Sequence, residues 1–324
     1  MTCRVALWSG LVSLVCLSAA GVQAQDPRPQ EGRPTFKSAV DLVSVAAVVR
    51  DHRGRFVRDL KRDDFIVRES GQQKQLVDFR ADDNASVRLA LLFDVSGSMR
   101  VASKVEEARQ AARYVLGALR LEGAEADVAA VFSFDIGLQS LQPFTADSGA
   151  IENALARVKP YGQTSLYDAI ALTAQEVASA SVGDRRRRAV LVLTDGIDTS
   201  SELTPERVSA FASSIDVPVY VMTVVSPLDH PGGRDTVVDP RRDAPDTVLR
   251  ALARWTGGEL YITSAPAHES IAARQIVDEL RHQYVLAFGS SPTNGWRPLD
   301  VRVKGRDVTV RARSGYTAGA RIGS

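Results

Sequence analysis

Cysteine is almost missing from this chain: there are two in 324 residues, Cys3 and Cys16, both near the N-terminus. That excludes a disulfide-dense scaffold and a thiolate-built zinc centre. Histidine is nearly as scarce, with four scattered copies at positions 52, 230, 268 and 282, so the sequence offers no imidazole cluster for zinc. Excess charge is also absent, with 40 Lys+Arg against 39 Asp+Glu and a formal net charge of +1. A protein that binds nucleic acid by neutralising phosphates needs a basic excess, and a disordered polyelectrolyte needs a larger imbalance of either sign. What remains is 44% hydrophobic and 24% charged, the composition of an ordinary soluble globular protein. The length suits one large domain or two of common size.

The first 24 residues read as a signal peptide. Arg4 is the only charge before Asp26, an apolar run follows from Val5 to Ala20, and Val22-Gln23-Ala24 places small residues at a cleavage site. A membrane anchor would want about 20 apolar residues, and Ser9, Gly10, Ser13 and Ser18 interrupt this run. Acylation at Cys16 would want a smaller residue before it than Val15. Cleavage after Ala24 removes Arg4 and both cysteines, leaving 300 residues with 39 basic and 39 acidic side chains. The expected mature protein is thiol-free, without an integral membrane segment, and exported to the periplasm or beyond.

Residues 25–36 (QDPRPQEGRPTF) read as a flexible leader. A β segment over 37–85 follows, with strand candidates at Val40–Val49, Phe56-Val57, Phe65–Val67 and Leu76–Phe79. From 86 to 281 strands alternate with helices. Leu89–Phe93 and Ala189–Leu193 are continuous apolar runs, and helices are expected near 101–120, 148–158, 166–179, 204–215, 245–256 and 267–281. That pattern predicts an α/β fold, a doubly wound and mostly parallel sheet covered on both faces. The segment 282–318 returns to β, with a strand at Tyr284–Phe288 and a hairpin expected between Leu299–Val303 and Val308–Ala312 around Gly305. Residues 319–324 form a short tail. The two β segments are each too small for a core. Together they have the strand count of an immunoglobulin-like sandwich into which the α/β block is inserted; two separate β appendages are the alternative.

Ligands of an open α/β sheet bind beyond the carboxyl ends of its strands. There the sequence places Asp94-Val95-Ser96-Gly97-Ser98 after the first apolar strand and Thr194-Asp195-Gly196 after another, with Gly162-Gln163-Thr164-Ser165 before a helix. Carboxylate and hydroxyl oxygens without thiolate or imidazole suit a hard cation such as Mg²⁺. The bland alternative is a set of helix caps and turns. A serine nucleophile at Ser96 is a third possibility, but the segment is not G-x-S-x-G.

The three segments, in this order, resemble the metal-ion-dependent adhesion site of von Willebrand factor type A domains, and the resemblance covers roughly 87–281. It implies that Ser96, Ser98 and Thr164 are hydroxyl ligands, and that Asp94 and Asp195 bind Mg²⁺ (or Mn²⁺) directly or through water. It also implies a non-enzymatic binding module whose open metal position takes an Asp or Glu of a protein partner, and whose last helix moves on ligation. The flanks, including Glu279-Leu280-Arg281-His282-Gln283-Tyr284 and Arg311-Ala312-Arg313-Ser314-Gly315-Tyr316, resemble exported VWFA-related proteins of the acidobacterial type. The rival reading is a structural or envelope-assembly protein whose metal only stabilises loops. Nearby, Asp168, Asp198 and Ser200 are expected to hold loops, and Asp135 to sit in a turn with a chance of approaching the site. Arg185–Arg188 are expected to form a solvated loop at the opposite end of the sheet. The insertion 226–243, with Asp229, His230, Asp235 and Asp239, is expected on the metal's side. Trp255 and Trp296 are expected to pack in cores.

Overall fold

A computed structural model describes residues 42–82, 84–181, 183–224, 245–263, 265–290 and 294–318 of the chain. The signal peptide, the leader, the whole insertion 226–243, including its expected place on the metal's side, and the tail lie outside the described residues.

The central sheet follows directly from continuous apolar sequence. Strand β5 (Val87–Asp94) and strand β8 (Arg187–Thr194) are buried along almost their whole length, because both of their faces are covered. On β5, Leu89, Leu91 and Phe93 point into one core with helices α1 (Lys104–Ala118), α2 (Ser148–Arg157) and α6 (Pro266–Arg281). Ala90 and Leu92 point into the other core, with α3 (Leu166–Ala180), α4 (Pro205–Ser214) and α5 (Pro245–Thr256). The period of two thus assigns alternate residues of one strand to two helical layers. Strands β6 (Val128–Phe134), β7 (Leu138–Thr145), β9 (Val219–Val224) and β10 (Leu260–Thr263) complete a six-stranded sheet in the order β10-β9-β8-β5-β6-β7. All its pairs are parallel except β6–β7. Because β6 lies on one side of β5 and β8 on the other, the carboxyl end of β5 is a topological switch point.

Two antiparallel four-stranded sheets flank this block, as expected of the fold class. Strands β1 (Leu42–Asp51), β2 (Phe65–Glu69), β3 (Gln72–Lys74) and β4 (Leu76–Ala81) come from the N-terminal side. Strands β11 (Tyr284–Gly289), β12 (Gly295–Val303), β13 (Val308–Ala312) and β14 (Gly315–Ala318) come from the C-terminal side. The sheets run β13-β1-β11-β4 and β14-β12-β2-β3, so each mixes strands from both ends of the chain. Val45, Ala47 and Val49 of β1, Val67 of β2 and Leu286 and Phe288 of β11 share one apolar core between them.

Four sequence expectations fail, the last in the arginine run. Phe56 forms only an isolated bridge with Arg50 rather than a strand. Leu299–Val303 and Val308–Ala312 do not form a hairpin: β12 pairs with β2 and β14, whereas β13 pairs with β1 in the facing sheet. The turn at Gly305 (φ 64°) therefore carries the chain across the sandwich. Both segments alternate toward the same core from opposite sides. Trp255 and Trp296 are not core residues either: they are 38% and 39% exposed and stack on each other at 5.2 Å between ring centroids. Gly315 makes that arrangement possible, since a Cβ there would lie 2.4 Å from the Trp296 ring.

The arginine run also differs from its expectation. It does lie at the end of the sheet opposite Asp94, where Arg187 opens β8 in register with Val87. Yet Arg187 is buried, bonded to Asp82 at 3.2 Å and to the Gln283 carbonyl at 3.1 Å. Arg186 pairs with Asp184 at 3.1 Å, and Arg188 lies 3.8 Å from Asp216. Arg185 is exposed, as expected, but the β segments packed at this end of the sheet turn Arg186–Arg188 into an ion-paired seam.

Candidate metal centre

The chain leaves β5 at Asp94, whose side chain is fully buried. Its Oδ1 accepts from the Ser96 amide at 2.8 Å, which folds the loop back on itself, and its Oδ2 accepts from Thr194 Oγ1 at 2.6 Å. Thr194 is the last residue of β8, so this bond joins the ends of the two central strands. Burial pushes the Asp94 carboxyl up to about 6, against the lowering effect of the Thr194 and Ser96 hydrogen bonds, and the nearby Asp195 charge adds to the rise. Ser96 Oγ and Ser98 Oγ lie 3.0 Å apart, so the alternation of the motif brings two hydroxyls together.

Asp195 follows at the β8 end with its side chain 3% exposed. Its Oδ2 accepts from Lys104 Nζ at 3.1 Å, while its buried Oδ1 has no hydrogen-bond partner. Thr164, also buried, is held through its backbone. Its amide donates to Thr199 Oγ1 at 3.1 Å, and its carbonyl accepts from the Thr199 and Ser200 amides at 2.9 and 3.0 Å. The loop bearing it is tied to the first loop by Gly97 N–H donating to the Gly162 carbonyl at 3.0 Å. Gly162 has φ 111°, and a Cβ there would lie 3.0 Å from the Asp135 Cβ, so only glycine fits.

These bonds gather all three segments into one frame at the switch point. Asp94, Ser96 and Ser98 are linked directly, Asp195 is joined through its neighbour Thr194, and Thr164 is joined through the Gly162 loop. Among the described residues no group of three or more His, Cys, Asp or Glu side chains forms a metal cluster. A site here would have only two carboxylates, with hydroxyls supplying the rest. The residues fit a hard cation on that basis: Asp195, whose charge is felt at Asp94, keeps a buried carboxylate oxygen, Oδ1, without a hydrogen-bond partner, and the loop after Asp94 carries a pair of serine hydroxyls that can accept.

The neighbours expected to hold loops do so. Asp168 accepts from the Glu202 and Leu203 amides, both at 2.9 Å. Asp198 Oδ1 caps α3 from a distance by accepting from the Leu166 amide at 2.8 Å, and Ser200 Oγ bonds Gln163 Oε1 at 3.1 Å. Asp135 sits in a turn, with Oδ1 accepting from the Gly137 amide at 3.1 Å, and it also reaches the second loop through its carbonyl, which accepts from the Ser165 amide at 2.7 Å.

Sequence reasoning missed Lys104. A lysine in the first turn of a helix faces the unfavourable end of the helix dipole, and that misplacement is the signal that could have marked it. Ala102 (φ 53°) and Ser103 (φ 64°) both adopt left-handed backbone just before α1, at about 1–2 kcal/mol each for an L residue. They reorient the chain at the end of the short 3-10 segment Gly97–Ser103, just before the helix that begins at Lys104. Thr194 was visible as part of a motif, but its bond to Asp94 was not.

Residues 89–197 match the von Willebrand factor type A domain, a stretch that contains Asp94, Ser96, Ser98, Thr164 and Asp195. No curated protein matches the chain. Among solved structures, the conserved hypothetical protein BatB from Bacteroides thetaiotaomicron is similar at 19% identity, TM-score 0.48, covering 60% of this chain and 98% of that one. A von Willebrand factor type A protein from Catenulispora acidiphila is similar at 13% identity, TM-score 0.48, covering 87% and 74%. Proximal thread matrix protein 1 from the mussel byssus, with a zinc-occupied MIDAS motif, is similar at 15% identity, TM-score 0.46, covering 62% and 49%.

Proposed function

We propose that this chain is an exported binding module rather than an enzyme. In this reading Asp94, Ser96, Ser98, Thr164 and Asp195 hold one Mg²⁺ or Mn²⁺, and the ion's open position takes an Asp or Glu side chain of a protein partner. The α/β domain over 86–281 carries the site, and the β segments 37–85 and 282–318 form its supporting sandwich. The observation that carries the proposal is Asp195 Oδ1, a buried carboxylate oxygen without a partner, at the end of the strand whose Thr194 bonds Asp94. The match of residues 89–197 to the von Willebrand factor type A domain supports the same assignment.

Charge arithmetic favours an anionic partner. Of the groups in the proposed site, Asp94 and Asp195 bring two negative charges and Lys104 one positive charge, so a divalent ion outweighs these three side chains by one charge. Once bound, the ion supplies an electrophilic centre for a carboxylate. The Lys104–Asp195 pair also bears on the rival structural reading, since an ammonium already neutralises Asp195 without metal. Loops so braced depend little on the ion for their shape. Export rests on the N-terminal sequence; no helix among the described residues is long and apolar enough to cross a membrane.

The test is partner retention on the immobilised full chain in Mg²⁺, in EDTA, and with Asp94→Ala in Mg²⁺. A partner held only in the first condition is the expected result. Equal retention in all three overturns the proposal.

A further inference from the structure

Among the described residues, the loops around the candidate site carry a group of exposed apolar side chains. Val101, Ile136, Tyr161 and Ile197 are 51%, 68%, 73% and 47% exposed, and they are four of the eleven large apolar side chains exposed among the described residues. Isolated exposed apolar residues are unremarkable in a folded protein. These four share one end of one sheet. Val101 follows Ser98 in the 3-10 turn, Ile136 follows the carboxyl end of β6, Tyr161 precedes Gly162 and Thr164, and Ile197 follows Asp195.

The loops that carry them are bonded to one another. Val95 N–H donates to the Phe134 carbonyl at 3.0 Å, Tyr161 N–H donates to the Val95 carbonyl, and Ser165 N–H donates to the Asp135 carbonyl at 2.7 Å. Thr199 N–H donates to Thr164, closing the ring on the β8 side. Side chains mounted on such a frame are preorganised, so a partner that buries them loses little extra entropy in ordering the loops.

The charges of the rim are equally selective. The Asp135 and Asp198 carboxylates are engaged by backbone amides, of Gly137 and of Leu166 respectively. Among the described residues the rim's exposed cations include Lys159, two residues before Tyr161, and Arg100, whose guanidinium lies 6.0 Å from the Tyr161 ring centroid and donates through Nε to the Pro160 carbonyl at 3.0 Å. Tyrosine and arginine, with tryptophan, are enriched at the energetic centres of protein interfaces. A divalent ion at the centre, an apolar collar and a basic edge at Arg100, with Asp135 and Asp198 turned to backbone amides, complement a single carboxylate in apolar company. They do not complement a run of acidic residues, most of which would be desolvated against Val101, Ile136 and Ile197.

We infer that these four side chains form a docking collar, and that the partner segment is one Asp or Glu flanked directly by large apolar residues. The inference rests on the proposed metal-dependent reading and specifies its partner.

The test selects random displayed peptides on the full chain in Mg²⁺ and elutes with EDTA. The expected pool is enriched in an acidic residue adjacent to Leu, Ile, Phe or Tyr. A synthetic peptide from that pool is expected to bind Ile136→Ser/Tyr161→Ser at least about tenfold more weakly, with the Mn²⁺ affinity and melting temperature of the variant unchanged. Enrichment of acidic runs without apolar neighbours, or equal binding to the variant, overturns the collar while leaving the metal reading intact. Peptides that resist EDTA, or that carry no acidic residue, overturn the metal reading itself. A pool without any EDTA-dependent enrichment counts against both.

Discussion

Lys104 Nζ donates to Asp195 Oδ2 at 3.1 Å, with the two side chains only 6% and 3% exposed. A buried ion pair is seldom a net gain in stability, because desolvation of both charges offsets their attraction. Its value here is electrostatic: the lysine balances one of two neighbouring carboxylates at the site. Replacing it with Met is expected to tighten Mn²⁺ binding by about tenfold or more, the equivalent of about 1.4 kcal/mol. The same variant should melt lower in EDTA and show a larger metal-induced rise in melting temperature. Calorimetry and thermal melts in parallel check both; unchanged affinity would remove the lysine from the site's charge balance.

Gly162 should be intolerant of a side chain. Its φ of 111° and the 3.0 Å approach to Asp135 mean that Gly162→Ala costs about 1–3 kcal/mol and displaces the loop that carries Thr164. Chemical denaturation gives the first effect, and weakened Mn²⁺ binding reports the second.

The carboxyl end of α6 is clamped by buried charges. Arg281 donates to Asp127 Oδ2 at 2.6 Å and to Oδ1 at 3.2 Å, while Asp127 also accepts from the Val87 and Arg120 amides. Removing one member of such a pair strands the other, so Arg281→Met is expected to cost about 3–5 kcal/mol in urea denaturation. Two residues earlier, Glu279 is held by Arg50 of β1 at 2.8 Å and by Arg311 of β13. Any movement of α6 on ligation must therefore work against both clamps.

Glu269 gives stability a pH dependence. Burial, and then repulsion from Glu107 on α1, push its carboxyl up to about 7 from 4.5. The folded state therefore keeps a proton that the unfolded chain has already lost, and stability from this residue declines as pH rises from 4.5 through 7. Glu269→Gln removes that decline. The variant should match the native chain near the lower value and exceed it above the upper one, as read from denaturation midpoints across pH.

Much of this was legible in the chain. The unbroken apolar runs of β5 and β8 announced a sheet covered on both faces, and the motif residues announced which ends of those strands mattered. The misread features are those that local patterning does not encode. Alternation in Leu299–Val303 and Val308–Ala312 fixes which face is buried but not which strand is the partner, so a crossing of the sandwich looked like a hairpin. The burial of Arg187 and the pairing of Lys104 with Asp195, 91 residues away, depend on what packs against them. The Trp255–Trp296 stack depends on Gly315, which leaves room for the ring.

The most direct measurement is a calorimetric titration of Mn²⁺ and Mg²⁺ into the full chain, into Asp195→Asn and into Ser96→Ala. Asp195→Asn keeps the shape of the side chain while removing the unpartnered carboxylate oxygen's charge. Saturable binding of a single ion to the native chain, abolished in Asp195→Asn and weakened in Ser96→Ala, is the predicted result. Absence of binding to the native chain, or identical isotherms for all three proteins, would contradict a metal centre at Asp94, Ser96, Ser98, Thr164 and Asp195.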